Sequence, residues 1–291
     1  MKDIPCGAMP MKRGIYIMAN DAAIDNAIAL LNSIRLFDTV SPVIMIPYDG
    51  RYKKLSNIVK STFNVGLFED LELVENIQKR VESIFGSKLF PRVNQFRKQA
   101  SWFGPFDEFL YLDTDIVVFE KVIDNLKWLA DHDFIAADYQ YKLGNKYLFT
   151  DKIRDIFGEN ELQGVFNAGF WGSKKGMITE KTLFETFEEC ARHLEYFDLS
   201  QDVSDMPIFN YLVLKKIGRR FNLVRDTGEK GPGCWAGMPH FKREGNVLID
   251  PNINKPLKYL HWAGIKIGPG CPYWDVWEHH RKLTLSDRKK Q

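Results

Sequence analysis

Short apolar runs alternate with amphipathic stretches along the first part of this chain. The run "GIYIMA", Gly14 to Ala19, predicts a buried strand, and the "ND" that ends it offers Asp21 as a helix N-cap. Further along, "PVIMIP" predicts a second buried strand. The stretch between them places five apolar residues on one helical stripe: Ile24, Ala27, Ile28, Leu31 and Ile34. A strand, a helix and a strand in this order predict a parallel βαβ unit within an α/β fold.

The rest of the chain continues this alternation. Residues 51 to 104 are predicted to be mostly helical, with breaks at Gly66 and at "FGSKLFP". "FLYLDTDIVVF", "DFIAAD" and the Gly-punctuated "GVFNAGFWGS" predict buried strands, the last of them lining a cleft. The Gly-rich stretch 225 to 246 predicts a surface or active-site loop. Three further helices are predicted, near Val122 to Ala130, over Thr179 to Tyr196 and over Ser204 to Lys216.

Composition narrows the class of protein. A length of 291 residues and a formal charge of +2 suit one large α/β domain with no nucleic-acid-binding surface. The four cysteines are scattered and form no CxxC pair, which favours a reduced, cytoplasmic protein over a zinc knuckle or a disulfide framework. No apolar run has the length of a transmembrane helix. Residues 1 to 13 are predicted to be a disordered leader. The aromatic and basic end, residues 271 to 291, is predicted to be a helix and tail, with peripheral membrane contact as a minor alternative.

The stretch "FLYLDTDIVVF" sets two acidic residues between apolar runs. In an extended strand the side chains of Asp113 and Asp115 would point to the same face. Two carboxylates about 6 Å apart, at an effective dielectric near 20, repel each other by roughly 3 kcal/mol. That is a large part of the stability of a typical domain, about 5 to 15 kcal/mol. The pair therefore needs solvent, a cation or a chemical role to relieve the repulsion.

Three interpretations of the pair are open. Full solvation would lower the repulsion below about 1 kcal/mol, but the apolar residues on both sides disfavour full solvation of the pair. A divalent ion such as Mn²⁺ or Mg²⁺ would be held by the carboxylate oxygens and would bind a diphosphate, outside the carboxyl end of the strand. "DTDIV" also matches the DxDxV pattern of haloacid-dehalogenase phosphohydrolases, with Asp113 as nucleophile. That pattern normally closes the first strand of its domain, which is not the case here, so the metal and diphosphate interpretation leads.

The same stretch resembles the DxD segment of nucleotide-sugar glycosyltransferases with the GT-A fold, most closely family 8, the galactosyltransferase and glycogenin-like group. Other family landmarks follow in order: "IYIMANDAAIDNAIALLNSI", "FRKQASWF", "FNAGFWGS", "SDMPIFN" and "HWAGIK". The resemblance spans residues 14 to 266 and implies a Rossmann-like, mixed but mainly parallel sheet flanked by helices, in a domain covering 14 to 285. Its nucleotide-binding half would run from about 14 to 120 and its acceptor half from about 121 to 270.

The resemblance also implies a set of site residues. Three would bind the metal: Asp113, Asp115 and His261. Others would contact the nucleotide or its phosphates: Ala19, Asp21, Arg97 with Lys98 as the fallback, Asp113, Thr114, Gly264 and Lys266. Asp205, Asn167 and Lys266 would serve the transferred sugar and the reaction, and Gly169 would shape the sugar pocket with Asn167. Two positions depart from the family: Lys266 follows His261 by five residues instead of six, and Asp205 is followed by Met-Pro where the family has Gln-Asp.

The implied function is transfer of a sugar from a UDP-sugar to a carbohydrate, lipid-linked or protein acceptor, with Mn²⁺ or Mg²⁺ bound and with retention of anomeric configuration. A phosphohydrolase, or a nucleotide-sugar-binding protein that has lost turnover, are the alternatives. Four tryptophans could stack on an acceptor sugar, although large aromatic residues mostly fill cores: Trp235, Trp262, Trp274 and Trp277.

Overall fold

A computed structural model describes residues 11–86, 88–137, 148–199, 204–227, 233–238, 240–245 and 247–288 of the chain. Most of the leader predicted at 1 to 13, and the last residues of the basic tail, lie outside this part. The first strand begins at Arg13. Within the described part, no helix combines the length and the apolar character that a membrane span requires.

The strands of the described part form one large and two small sheets. The large sheet has seven strands in the order β3-β2-β1-β4-β7-β6-β8. Six of them run in one direction and β7 runs against them, which confirms the predicted mixed, mainly parallel sheet. The bounds are β1 Arg13–Ala19, β2 Val43–Pro47, β3 Gly66–Leu67, β4 Glu108–Asp113, β5 Ile116–Val118, β6 Phe134–Ala136, β7 Phe170–Lys174, β8 Arg220–Asn222, β9 Lys242–Glu244, β10 Val247–Asp250, β11 Lys255–Pro256 and β12 Tyr259–His261.

Helices cover both faces of the large sheet. Alternate residues of β1 point into two separate cores: Ile15 and Ile17 pack against α1 and α2, whereas Tyr16 and Met18 belong to the core that contains α3, α5 and α6. β1 and β2 pair in parallel and α1 connects them, which confirms the predicted βαβ unit. The helix bounds are α1 Ile24–Phe37, α2 Lys53–Phe63, α3 Leu71–Phe85, α4 Glu159–Leu162, α5 Glu180–Arg192, α6 Met206–Lys216, α7 Trp274–Lys282 and α8 Leu285–Arg288. The longer 3-10 segments are Val93–Phe103 and Val122–Ala130.

The prediction of one continuous strand for "FLYLDTDIVVF" is wrong. The chain leaves the large sheet after Asp113, turns at Thr114 and Asp115, and enters β5, which pairs with β12 in a separate two-stranded sheet. The local apolar pattern continues on both sides of the turn because β5 is buried in its own right. The two aspartates therefore do not owe their relative direction to the pleat of a single strand.

Three other expectations need smaller corrections. Asn20, and not Asp21, caps the turn after β1, because its side-chain oxygen accepts from the amide of Ala22 at 3.1 Å. The strand predicted for "GVFNAGFWGS" starts only at Phe170, so that its first half is a connection. The helix predicted over Thr179 to Tyr196 is α5 followed by a 3-10 turn, and the long loop contains β9.

Candidate functional site

The turn between β4 and β5 brings together three side chains that could hold a metal ion. Asp113 ends β4 at the carboxyl edge of the sheet, and Asp115 lies in the turn that follows. Because β5 pairs with β12, His261 lies opposite Ile116, close to that turn. One ligand atom from each of Asp113, Asp115 and His261 lies within 4.8 Å of the others. Two carboxylates and an imidazole are ligands that suit Mn²⁺.

His261 is buried and held from two sides. Its Nε2 lies 3.2 Å from Asp115 Oδ1. Burial lowers the pKa of His261, but the carboxylate of Asp115 outweighs it and the pKa is raised. On the other side, a Cβ at Gly169 would lie 2.3 Å from Cε1 of the ring, so only glycine leaves room for the imidazole. The backbone around Asn167 is fixed as well, since its Oδ1 accepts from Gly169 N at 2.9 Å.

Asp113 is surrounded by polar partners. The Tyr111 hydroxyl donates to Asp113 Oδ1 at 2.7 Å, and Lys98 Nζ lies 3.6 Å from the same oxygen. Burial and the negative charge of Asp113 together raise the pKa of Tyr111 well above its usual value. The phenol therefore stays protonated and donates to the carboxylate over the physiological range of pH.

The cation beside Asp113 comes from Lys98 and not from Arg97. The buried ammonium of Lys98 also lies 3.3 Å from Asp205 Oδ2. Arg97 points away from the two aspartates: its guanidinium donates to the backbone carbonyl of Pro47 and to the side chain of Gln78. The sequence favoured Arg97, but the 3-10 geometry of this segment turns the neighbouring residue toward the carboxylates.

A cavity of about 210 Å³ is lined by two of the three candidate ligands, Asp113 and Asp115. Its lining is mainly polar and combines one cation with the acidic turn: Met18, Asn26, Tyr48, Gln95, Lys98, Asp113, Thr114 and Asp115. Thr114, expected at the nucleotide site, is therefore part of this wall. Asn26, Tyr48 and Gln95 were not found from the sequence, because nothing local distinguishes them from other polar residues of helices and turns. Tyr111 had a signal: it lies two residues before Asp113 and so shares its strand face.

The remaining expected residues have identifiable positions. The carbonyl of Ala19 accepts from Tyr48 N at 2.9 Å, and the Asp21 carboxylate accepts from Leu55 N at 2.8 Å, in the first turn of α2. Gly264 has a positive φ of 72°, which a side chain would strain, in the turn that follows β12. Lys266 is exposed beyond it.

No protein-family model and no curated protein sequence matches this chain. Its structure, however, is similar to those of glycosyltransferases. The apo WbbM bifunctional glycosyltransferase superposes with a TM-score of 0.62 at 17% identity, covering 97% of this chain and 52% of its own. The galactosyltransferase LgtC, in complex with donor and acceptor sugar analogues, superposes with a TM-score of 0.57 at 13% identity, covering 96% of this chain and 100% of its own. Apo GlyE of Streptococcus pneumoniae TIGR4 superposes with a TM-score of 0.54 at 15% identity, covering 96% of this chain and 62% of its own.

This chain therefore spans about half of the WbbM chain and under two thirds of GlyE. At these identities the likeness establishes the fold alone. The fold is the GT-A fold of these glycosyltransferases, as the motif order predicted.

Proposed function

We propose that this protein is a metal-dependent glycosyltransferase, related to family 8, that moves a sugar from a UDP-sugar to an acceptor with retention of configuration. The observation that carries the proposal is the convergence of Asp113, Asp115 and His261 within 4.8 Å, next to a cavity that also contains Lys98. The cluster lies at the carboxyl end of β4, where open α/β sheets bind their ligands. The shared fold and the motif order support the same class of reaction.

Each residue of the site has a role in this proposal. Asp113, Asp115 and His261 would hold Mn²⁺ or Mg²⁺, which when bound supplies positive charge to a diphosphate leaving group. Lys98 neutralises Asp113 and keeps Asp205 in place. Asp205 would hydrogen-bond hydroxyls of the donor sugar. Asn167 and Gly169 would shape the sugar pocket, and Lys266 with Gly264 would contact phosphate. Ala19, Asp21 and Thr114 would contact the nucleoside, and Arg97 would support the nucleotide side through Pro47.

The alternatives differ in what they bind. A phosphohydrolase would use Asp113 as a nucleophile, but this carboxylate already accepts from Tyr111 and faces Lys98, and the similar solved structures are glycosyltransferases. A protein that has lost turnover would still bind UDP with metal. A cytoplasmic location is part of the proposal, and the free thiols of Cys190 and Cys271 agree with it.

Thermal unfolding with a panel of nucleotides and nucleotide sugars, with and without Mn²⁺, tests the proposal. We expect UDP and UDP-sugars to raise the Tm only when Mn²⁺ is present, and Asp115→Ala to abolish this shift. Asp124→Ala is the matched control, because this aspartate is exposed and pairs only with Lys121 among the ion pairs of the described residues. If no nucleotide changes the Tm of the wild type, the proposal is contradicted.

Release of UDP from UDP-sugars then separates a transferase from a binding protein. An active enzyme should release UDP slowly when water is the acceptor, and faster when a sugar acceptor is present. Trapping of phosphate on Asp113 would instead identify a phosphohydrolase.

A further inference from the structure

Trp235 lies beside the candidate metal ligand His261 and is exposed. Its indole is 38% accessible to solvent, an unusual state for a large aromatic residue in the described part of the chain. The segment around it pairs with β12 in parallel: His261 N donates to Cys234 O at 2.7 Å and Ala236 N donates to His261 O at 2.8 Å. Bridge partners lie about 4.8 Å apart, and their Cβ atoms leave the chains on the same face. The side chain of Trp235 therefore leaves the backbone on the same face as that of His261, and its ring extends toward Gly237 and Ala263.

The indole is held in one orientation. Its Nε1 donates to the carbonyl of Ala263 at 3.0 Å, in the turn that follows His261. A Cβ at Gly237 would lie 2.5 Å from two ring atoms, so the ring packs directly against the glycine backbone. One part of the indole is thus supported and another part remains open to solvent. A ring fixed before binding loses little conformational entropy when a ligand covers it.

The backbone beneath the indole is anchored as well. Gly233 N donates to Oδ2 of the buried Asp250 at 3.0 Å, which ties the start of the segment to β10. The other three tryptophans considered for this role are less suited. Trp262 and Trp277 are buried, and Trp274 stacks on Trp277 with ring centroids 4.9 Å apart. Trp235 is the tryptophan of this set that is fixed, open and adjacent to the site.

We propose that Trp235 is the platform on which a pyranose ring of a saccharide acceptor stacks. The inference rests on the proposed function, because the acceptor has to lie next to the metal-bound donor. The C–H bonds on one face of a pyranose carry partial positive charge and are attracted to the negative face of an indole. Sugar hydroxyls can meanwhile bond to water or to polar neighbours. Of the three acceptor classes implied by the sequence, this favours one that ends in a sugar.

Saturation-transfer NMR on the intact protein tests the platform. The probes are the methyl β-glycosides of galactose, glucose and N-acetylglucosamine, each added with UDP and the diamagnetic ion Mg²⁺. We expect at least one of them to receive saturation from the wild type, strongest at the C–H protons of one ring face. Trp235→Ala should lower the affinity for this glycoside about 10-fold or more. Trp235→Phe, which keeps an aromatic face, should retain most of the binding. Phe37→Ala is the matched control, because Phe37 is 40% exposed but lies at the end of α1.

The Tm shift given by UDP and Mn²⁺, measured separately on the wild type and the same variants, separates this inference from the proposed function. If UDP binds and Trp235→Ala keeps the glycoside signals, or if no glycoside binds the wild type, the inference is wrong while the transferase proposal stands. If glycoside binding depends on Trp235 but UDP never binds, the saccharide platform stands and the transferase proposal fails. If Trp235→Ala also loses the UDP response, Trp235→Phe decides: it must keep both responses for the inference to stand.

Discussion

The ammonium of Lys98 lies 3.3 Å from the Asp205 carboxylate, and both side chains are almost completely buried. Burial lowers the pKa of Lys98, but the charges of Asp113 and Asp205 outweigh this and raise it. Burial raises the pKa of Asp205, and the attraction of Lys98 does not fully offset that effect. A buried pair of this kind stabilises a fold only while both partners are present, because each charge alone has lost its hydration.

Lys98→Met should therefore be strongly destabilising. It leaves Asp113 and Asp205 without their cation, and we expect the free energy of unfolding to fall by about 3 to 5 kcal/mol. Urea denaturation measures this change. Lys79→Met is the control, since the Lys79–Glu75 pair is exposed on both sides and should contribute less than about 1 kcal/mol.

A second substitution checks whether the ion pair is the cause. In Lys98→Met/Asp205→Asn the buried charge of Asp205 is removed together with its partner, so part of the lost stability should return. Purely additive losses in the double variant would show that Lys98 acts through packing instead of charge.

Gly169→Ala should damage the candidate metal site. The new methyl group would lie 2.3 Å from His261 Cε1 and would push the imidazole away from Asp115. We expect Mn²⁺ affinity to fall by about 10-fold or more, as for other changes that reorient a ligand, measured by titration calorimetry. Gly218→Ala is the matched control, because a Cβ at that position meets no atom within 4 Å. Equal Mn²⁺ affinity in Gly169→Ala and the wild type would contradict the role of His261 as a ligand.

His280 should make the protein sensitive to mild acid. Burial lowers its pKa to about 4, while the ring contacts the carbonyl of Val276 at 2.9 Å. In the unfolded chain a histidine has a pKa near 6.5, so the unfolded state takes up the proton first as the pH falls. The stabilising contribution of the neutral ring is complete above about pH 6.5 and is lost progressively down to about pH 4, about 3 kcal/mol in all.

His280→Phe removes this titration while keeping a ring beside Phe119. Urea denaturation at a series of pH values should show the wild type losing stability relative to the variant between pH 6.5 and 4. Parallel curves for the two proteins over this range would mean that His280 does not titrate as its burial requires.

Asp21 should contribute to stability through α2. Its carboxylate accepts from Leu55 N at 2.8 Å, which satisfies one of the free amides of the first helical turn. Asp21→Ala should cost about 1 kcal/mol, and Asp21→Asn, which keeps an acceptor oxygen, clearly less. Comparison of the UDP-dependent Tm shift in both variants checks the nucleoside contact. If Asp21 also binds the nucleoside, both the stability and the UDP shift fall in Asp21→Ala, whereas a pure helix cap leaves the shift intact.

The sequence predicted the fold because its signals are local. The apolar run Gly14 to Ala19, the helical stripe after it and each of the family motifs lie within a short stretch of chain. They were enough to predict a βαβ start and a mainly parallel sheet, and the structure confirms both. Asp113 and Asp115 were also visible as candidate ligands, since two acidic residues interrupt an apolar stretch.

The tertiary structure decided how the side chains meet. The apolar pattern around Asp115 is the same on both sides of the turn, and only the pairing of β5 with β12 shows that the chain leaves the large sheet there. Likewise, Arg97 and Lys98 are adjacent basic residues, and their sequence does not distinguish the one that faces Asp113. The backbone direction of a 3-10 segment and the packing of distant strands make that choice. Both arise from contacts between residues far apart in the chain, which no local pattern encodes.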